Sequence, residues 1–182
     1  MIVAVFHRLS IGVRVAFYAT SLLTAGMAAA APVAQAQSSI TWDRTANIKD
    51  AATRLGQLHR RGGSQAVLKF LDACYRTHML ASDFNQGLES CMAQDFMHTQ
   101  VLAQIYARVS ESELKSKNVP TPKLIADGMA QRFQAVFTQY KISKDDALAF
   151  QKRVANDGLP IFVAAVFPKR APKEGAREPE QK

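Results

Sequence analysis

The feature that most restricts how this chain can fold is a pair of cysteines, Cys74 and Cys91, placed symmetrically about a polar turn. Each lies on an apolar stripe of helical period, with Val67, Leu71, Cys74 and His78 on one side and Leu88, Cys91, Met92 and Phe96 on the other. The midpoint between the two cysteines falls between Ser82 and Asp83, where the apolar pattern is interrupted. In an antiparallel pair of helices, residues that face each other lie equally far from the turn, so this spacing sets the two sulfurs opposite one another. The sequence therefore predicts a helix over 64–79, with Ser64 at its N-cap. A second runs from near residue 85 to about 109, capped by Ser82 or Asp83. A disulfide between them staples an αα-hairpin and contributes about 3 kcal/mol through the entropy of the unfolded chain.

A disulfide needs an oxidising compartment, and residues 1–36 read as the signal that leads to one. Arg8 and Arg14 supply positive charge, residues 15–30 are apolar and uncharged, and Ala34-Gln35-Ala36 has the small-x-small form of a signal-peptidase site. Cleavage after Ala36 makes Gln37 the mature start. Thr20, Ser21 and Thr24 interrupt the apolar stretch, which favours a cleaved signal over a permanent span of about 20 apolar residues. No cysteine follows to carry a lipid, and no Arg-Arg pair precedes it. The expected location is periplasmic or secreted. Removing 36 of 182 residues takes away two arginines and no acid, so 146 residues remain and the charge falls from +8 to +6. That length suits one domain, and no later apolar run is long enough to span a membrane.

The remaining pattern is helical throughout. Thr41 or Asp43 caps a first helix in which Ile48, Ala51, Ala52, Leu55 and Leu58 share a face, and Gly62-Gly63 ends it. Residues 110–120 are polar and form a connector with one short turn at most. Within it, Ser110 to Leu114 has the Ser-x-x-Glu-Leu form of a helix start. Thr121 then caps a helix with Pro122 at its first position and Ile125, Met129, Phe133, Val136, Phe137 and Tyr140 on its core face, ending near residue 141. Ser143 and Asp146 form a capping-box pair for a helix that buries Ala147, Leu148, Gln151 and Val154 and stops at Gly158 in a left-handed conformation. Residues 161–167 are read as a short buried helix, because no other segment alternates as a strand that could pair with them. Residues 169–182, rich in Lys, Arg, Glu and Pro, are expected to be a disordered basic tail. The reading is all-α: a single-domain bundle of about five helices over 37–168, after a cleaved signal peptide and before that tail.

Three functional classes follow from the side chains. In the first, Cys74-x3-His78 and Cys91-x6-His98 place two cysteines and two histidines on facing helices, as a zinc site requires, but Cys91 and His98 lie about 10 Å apart along their helix axis. A related set of His78, Asp95, His98 and Met92 offers the nitrogen and thioether ligands that suit copper. The competing structural reading buries His78 near the turn, with Asp95 bonded to it or to Tyr106. In the second class, Glu89-Ser90 resembles the Glu-Ser pair of lytic transglycosylases, which implies an envelope-polymer hydrolase with Glu89 as its acid. Leu88-Glu89-Ser90-Cys91-Met92 lacks the motifs that follow in that family. A nucleophile elbow, a His-Glu-x-x-His zinc motif, a Cys-x-x-Cys pair and a phosphate-binding glycine loop are all absent from the sequence.

The third class, favoured here, is a non-enzymatic binding or envelope-associated protein without a cofactor. Its contact surface is a basic cluster of Arg60, Arg61, Lys69 and Arg76, suited to an anionic envelope component or an unknown protein partner. Nucleic acid is not an expected partner, because export separates the chain from it and no aromatic platform for bases is present.

Overall fold

The computed structural model describes residues 40–168, which are α-helical with no β-strand among them. The expected signal peptide and basic tail lie outside the described residues. Helix α1 spans Arg44–His78, α2 Gln86–Tyr106, α3 Glu111–Ser116, α4 Pro122–Gln139, α5 Lys144–Arg153 and α6 Leu159–Val166. One π-helical turn, Val154–Gly158, joins the last two.

Helix α1 is two helices that meet at a kink, and the break falls at Gly63, where the sequence reading ends one helix and starts the next. Gly63 sits at φ 61°, ψ −164°, a backbone conformation open only to glycine, and both limbs of α1 resume their helical turns directly on either side. Gly63 thus separates the two helices without a loop between them. Asp43, rather than Thr41, is the N-cap, accepting from the Ala46 amide at 3.0 Å.

The hairpin also starts differently. Ser82 donates to the neighbouring Asp83 carboxylate at 2.9 Å, so these two side chains engage each other within the turn. Asn85 caps α2 instead: its Oδ1 accepts from the Leu88 amide at 2.9 Å, while its Nδ2 donates to the His78 carbonyl at 3.2 Å. One side chain thereby ties the end of α1 to the start of α2. The Cys74–Cys91 disulfide joins the same two helices, with the Cα atoms 5.8 Å apart. Helix α2 ends at Tyr106, three residues short of expectation.

Ser110 caps the short helix α3 in the connector, and Leu114 is its buried contact. Thr121 and Ser143 cap α4 and α5 as their sequences predict. Gly158, however, is right-handed at φ −100° and does not stop the chain. Pro160 has no amide hydrogen, and its ring would crowd the carbonyl four residues back in a regular α-turn. The wider π turn relieves that crowding, with the Leu159 amide reaching the Val154 carbonyl. Gly158 is needed for proximity instead, because a Cβ there would sit 2.9 Å from both Ile48 and Met97. Residues 161–167 are mostly helical as expected, although Phe167 is exposed just beyond α6. Leu148 is also exposed, and Ala147 and Phe150 form the buried face of α5 in its place.

The core runs along α2. Ile48, Ala51, Ala52 and Leu55 from the first limb of α1, Val67 and Leu71 from its second, Phe133 and Val136 from α4, and Phe162 from α6 gather around Leu88, Met92, Met97 and Val101. Helix α2 is buried around most of its circumference, so its polar side chains must find partners inside the protein.

Candidate functional site

Glu89 stands in the first turn of α2, where a negative charge complements the helix dipole, and it has no exposure to solvent. Its carboxylate accepts from Trp42 Nε1 at 2.6 Å, from Asn47 Nδ2 at 3.0 Å and from the Arg44 guanidinium, with which it forms an ion pair. Two donors from the beginning of α1 and one, Trp42, from just before its cap thus converge on one acid. With both oxygens engaged and water excluded, Glu89 has no approach by which to protonate an extended polymer. Its role in this geometry is to lock α1 onto α2.

Ser90, the next residue, accepts from Arg54 at 2.8 Å, and just over one turn beyond Glu89, Gln94 donates to the Ala51 carbonyl at 3.0 Å. Asp95 follows, 1 % exposed. Its partners are neither His78 nor Tyr106. Tyr75 donates from α1 at 3.0 Å, Thr99 from the next turn of α2 at 3.4 Å, and Arg132 from α4 through Nε at 2.8 Å and Nη2 at 2.7 Å. The Tyr75 phenol is pushed well above its usual pKa, first by burial and then by the Asp95 charge, so it stays a donor. Bonding to Asp95 holds the Arg132 pKa up in turn. These residues floor a cleft of about 260 Å³ between the second limb of α1 and α4, walled by Leu68, Leu71 and Asp72.

His98 is 2 % exposed, and its Nε2 has no hydrogen-bond partner. Burial is the main cause that lowers its pKa to about 4, so it is the neutral imidazole at pH 7. Met92 is a core side chain at 1 % exposure. His78, Asp95 and His98 therefore do not share one ligand group. The single cluster of three or more His, Cys, Asp or Glu ligand atoms among the described residues is Cys74, His78 and Cys91, whose atoms all lie within 4.8 Å of one another. Both sulfurs of that cluster are joined in the disulfide.

The basic residues occupy the outside of α1. Arg60, Arg61, Lys69 and Arg76 are all exposed. Arg76 pairs with Asp72 one turn away, at 2.5 Å, whereas Arg60, Arg61 and Lys69 take part in no ion pair among the described residues. They flank the bend at Gly63.

Arg132 and Trp42, which fix the two buried acids, escaped the sequence reading. The available signal was the number of polar residues on α2 at core positions, each requiring a partner on another element. Which partner could not be read from spacing within one helix.

No protein-family model, curated protein or solved structure matches this chain.

Proposed function

We propose that the mature chain acts outside the cytoplasm, in the periplasm or as a secreted protein, as a non-enzymatic binding protein for an anionic component of the cell envelope. The observation that carries this reading is a division of charge. The buried acids Glu89 and Asp95 are each held by several donors, while Arg60, Arg61 and Lys69 are exposed around the bend of α1 without an acidic partner among the described residues. Cations left unpaired at a surface attract phosphate or carboxylate polymers at long range. The signal-like residues 1–36 and the hairpin disulfide support the location. No helix among the described residues is long and apolar enough to cross a membrane.

The test uses vesicles rich in phosphatidylglycerol, with phosphatidylcholine vesicles as the neutral control. Each basic residue near an anionic surface contributes about 1 kcal/mol, so the triple variant Arg60→Gln, Arg61→Gln, Lys69→Gln should partition roughly 100-fold more weakly than the wild type. Its thermal unfolding should be unchanged, because none of the three is buried. Equal binding by wild type and variant, or no preference of the wild type for anionic vesicles, would reject this surface. Capture of a protein rather than a lipid would move the partner to another class.

A further inference from the structure

We propose that reduction of the Cys74–Cys91 bridge turns the turn-proximal end of the α1–α2 hairpin into a three-ligand site for a thiophilic ion of the zinc class, formed by the two sulfurs and the His78 imidazole. The three ligand atoms already lie within 4.8 Å of one another. They are carried by helices rather than loops: Cys74 and His78 are four residues apart on one face of α1, and Cys91 faces them from α2. The Asn85 side chain and the α1–α2 core fix the distance between those helices independently of the disulfide.

The position of His78 gives a second, separate reason. A Cβ on Gly87 would fall inside the van der Waals envelope of the His78 ring, so α2 leaves a recess that this imidazole fills. Gly87 is the second residue of α2, and its lack of a Cβ makes the room in which one ring sits beside two sulfurs. Neither ring nitrogen of His78 takes part in a hydrogen bond among the described residues, which leaves them available as ligands. Two thiolates and one imidazole form a donor set that zinc accepts, with water in the fourth position. His78 and Cys74 are half-buried, and Cys91 is fully buried, so that water and any reductant approach from the Cys74 side.

The opening step needs a dithiol reductant. One of its thiolates attacks Cys74 Sγ, breaking the bridge and releasing Cys91 as a thiolate. Its second thiolate then attacks the mixed disulfide and releases Cys74. The reductant leaves oxidised by two electrons, and the ion takes the place of the protons on the two freed thiols.

The experiment is a zinc titration of the purified chain against a chromophoric chelator, with and without prior reduction by a phosphine. Far-ultraviolet circular dichroism and the fluorescence of Trp42, the only tryptophan, report folding in parallel. The reduced, folded wild type should bind one zinc ion and the oxidised chain none. His78→Gln should weaken binding roughly 100-fold, since loss of even an outer-shell partner costs 10- to 100-fold. His78→Cys should retain binding with a third thiolate. Equal affinity in reduced wild type and His78→Gln would overturn the proposal, because two thiols alone, in a folded or an unfolded chain, would then account for the zinc. So would absence of zinc from the reduced, folded wild type.

Discussion

The Arg132 guanidinium and the Asp95 carboxylate meet in a two-point ion pair that fastens α4 to α2, with Nε and Nη2 at 2.8 and 2.7 Å from the two carboxylate oxygens. The pair is lopsided. Asp95 is almost wholly buried, whereas the arginine side chain is 46 % exposed. Removing the arginine strands a buried charge, and removing both charges does not. Arg132→Met is therefore expected to cost about 2 kcal/mol, less than a fully buried pair would lose, because water can reach the space it vacates. Adding Asp95→Asn to Arg132→Met should recover part of that loss. Urea unfolding of the two single variants and the double variant measures the coupling, and strictly additive effects would mean that the contact carries no energy.

His98 makes stability depend on pH with a definite sign. In the unfolded chain it takes up a proton near pH 6.5, whereas in the folded protein burial, opposed by Asp95 and assisted by His59 and Arg132, delays protonation until about pH 4. The native state thus binds fewer protons at this site. Its contribution is complete above pH 6.5 and is lost as the pH falls from 6.5 towards 4, to a total of about 3 kcal/mol. His98→Gln should flatten that slope, so the gap between variant and wild-type stability narrows on going from pH 7 to pH 4.5. An identical pH dependence in the two chains would assign the acid sensitivity to other groups.

Two glycine-to-alanine substitutions should act in opposite directions. At Gly56 on α1 a Cβ would lie 2.6 Å from the Cβ of Ala165 on α6, and neither atom can rotate away. Overpacking of about 1–3 kcal/mol then outweighs the roughly 1 kcal/mol gained in helix propensity, so Gly56→Ala should lower the melting temperature. At Gly128 on α4 the nearest atom is a terminal nitrogen of Arg132 at 3.5 Å, an ordinary contact. Gly128→Ala should raise the melting temperature by the propensity gain alone.

Lys141 offers a stabilising change from backbone geometry. It follows α4 at φ 52°, with the Lys141 amide bonded to the Thr138 carbonyl and the Ile142 amide to that of Phe137, the double closure of a Schellman motif. Glycine enters that left-handed region without the Cβ conflict that lysine carries. Lys141→Gly should therefore increase stability by about 0.5–1 kcal/mol in denaturant unfolding. A loss would mean that the lysine side chain contributes more than its backbone strain.

Much of this fold was legible because local chemistry marks it. Thr121-Pro122, Ser143 with Asp146, and the symmetric cysteines declare two helix starts and one helix pairing without reference to the rest of the chain. What the sequence withheld is cross-helix pairing of polar groups. Asp95 lies beside an apolar stripe, and its spacing suggested His78 and Tyr106, yet α4 arrives from 37 residues away with Arg132. The same holds for Glu89, whose position in the first turn reads as a surface dipole partner until Trp42 and Asn47 are seen above it. Local signals also misled where two elements approach closely. Gly158-Leu159-Pro160 reads as a stop, because the tight approach of Ile48 and Met97 that calls for the glycine is invisible in one segment. Leu148 matched the helical period as well as Phe150 does, and only the placement of α4 decides between them.

Helix α6 is the last element of the described chain, and it closes over the first. Phe162 is fully buried and meets the His59 ring edge-on at 5.9 Å, and Ala165 abuts Gly56; from the end of α5, Arg153 also reaches Thr45, 108 residues earlier. A polypeptide released before residue 159 would leave the side of α1 that carries Leu55 and His59 without its cover. The fold of α1 thus depends on residues more than a hundred positions later, and a truncation that removes residues 159–166 bares an apolar face of the kind that invites proteolysis and aggregation.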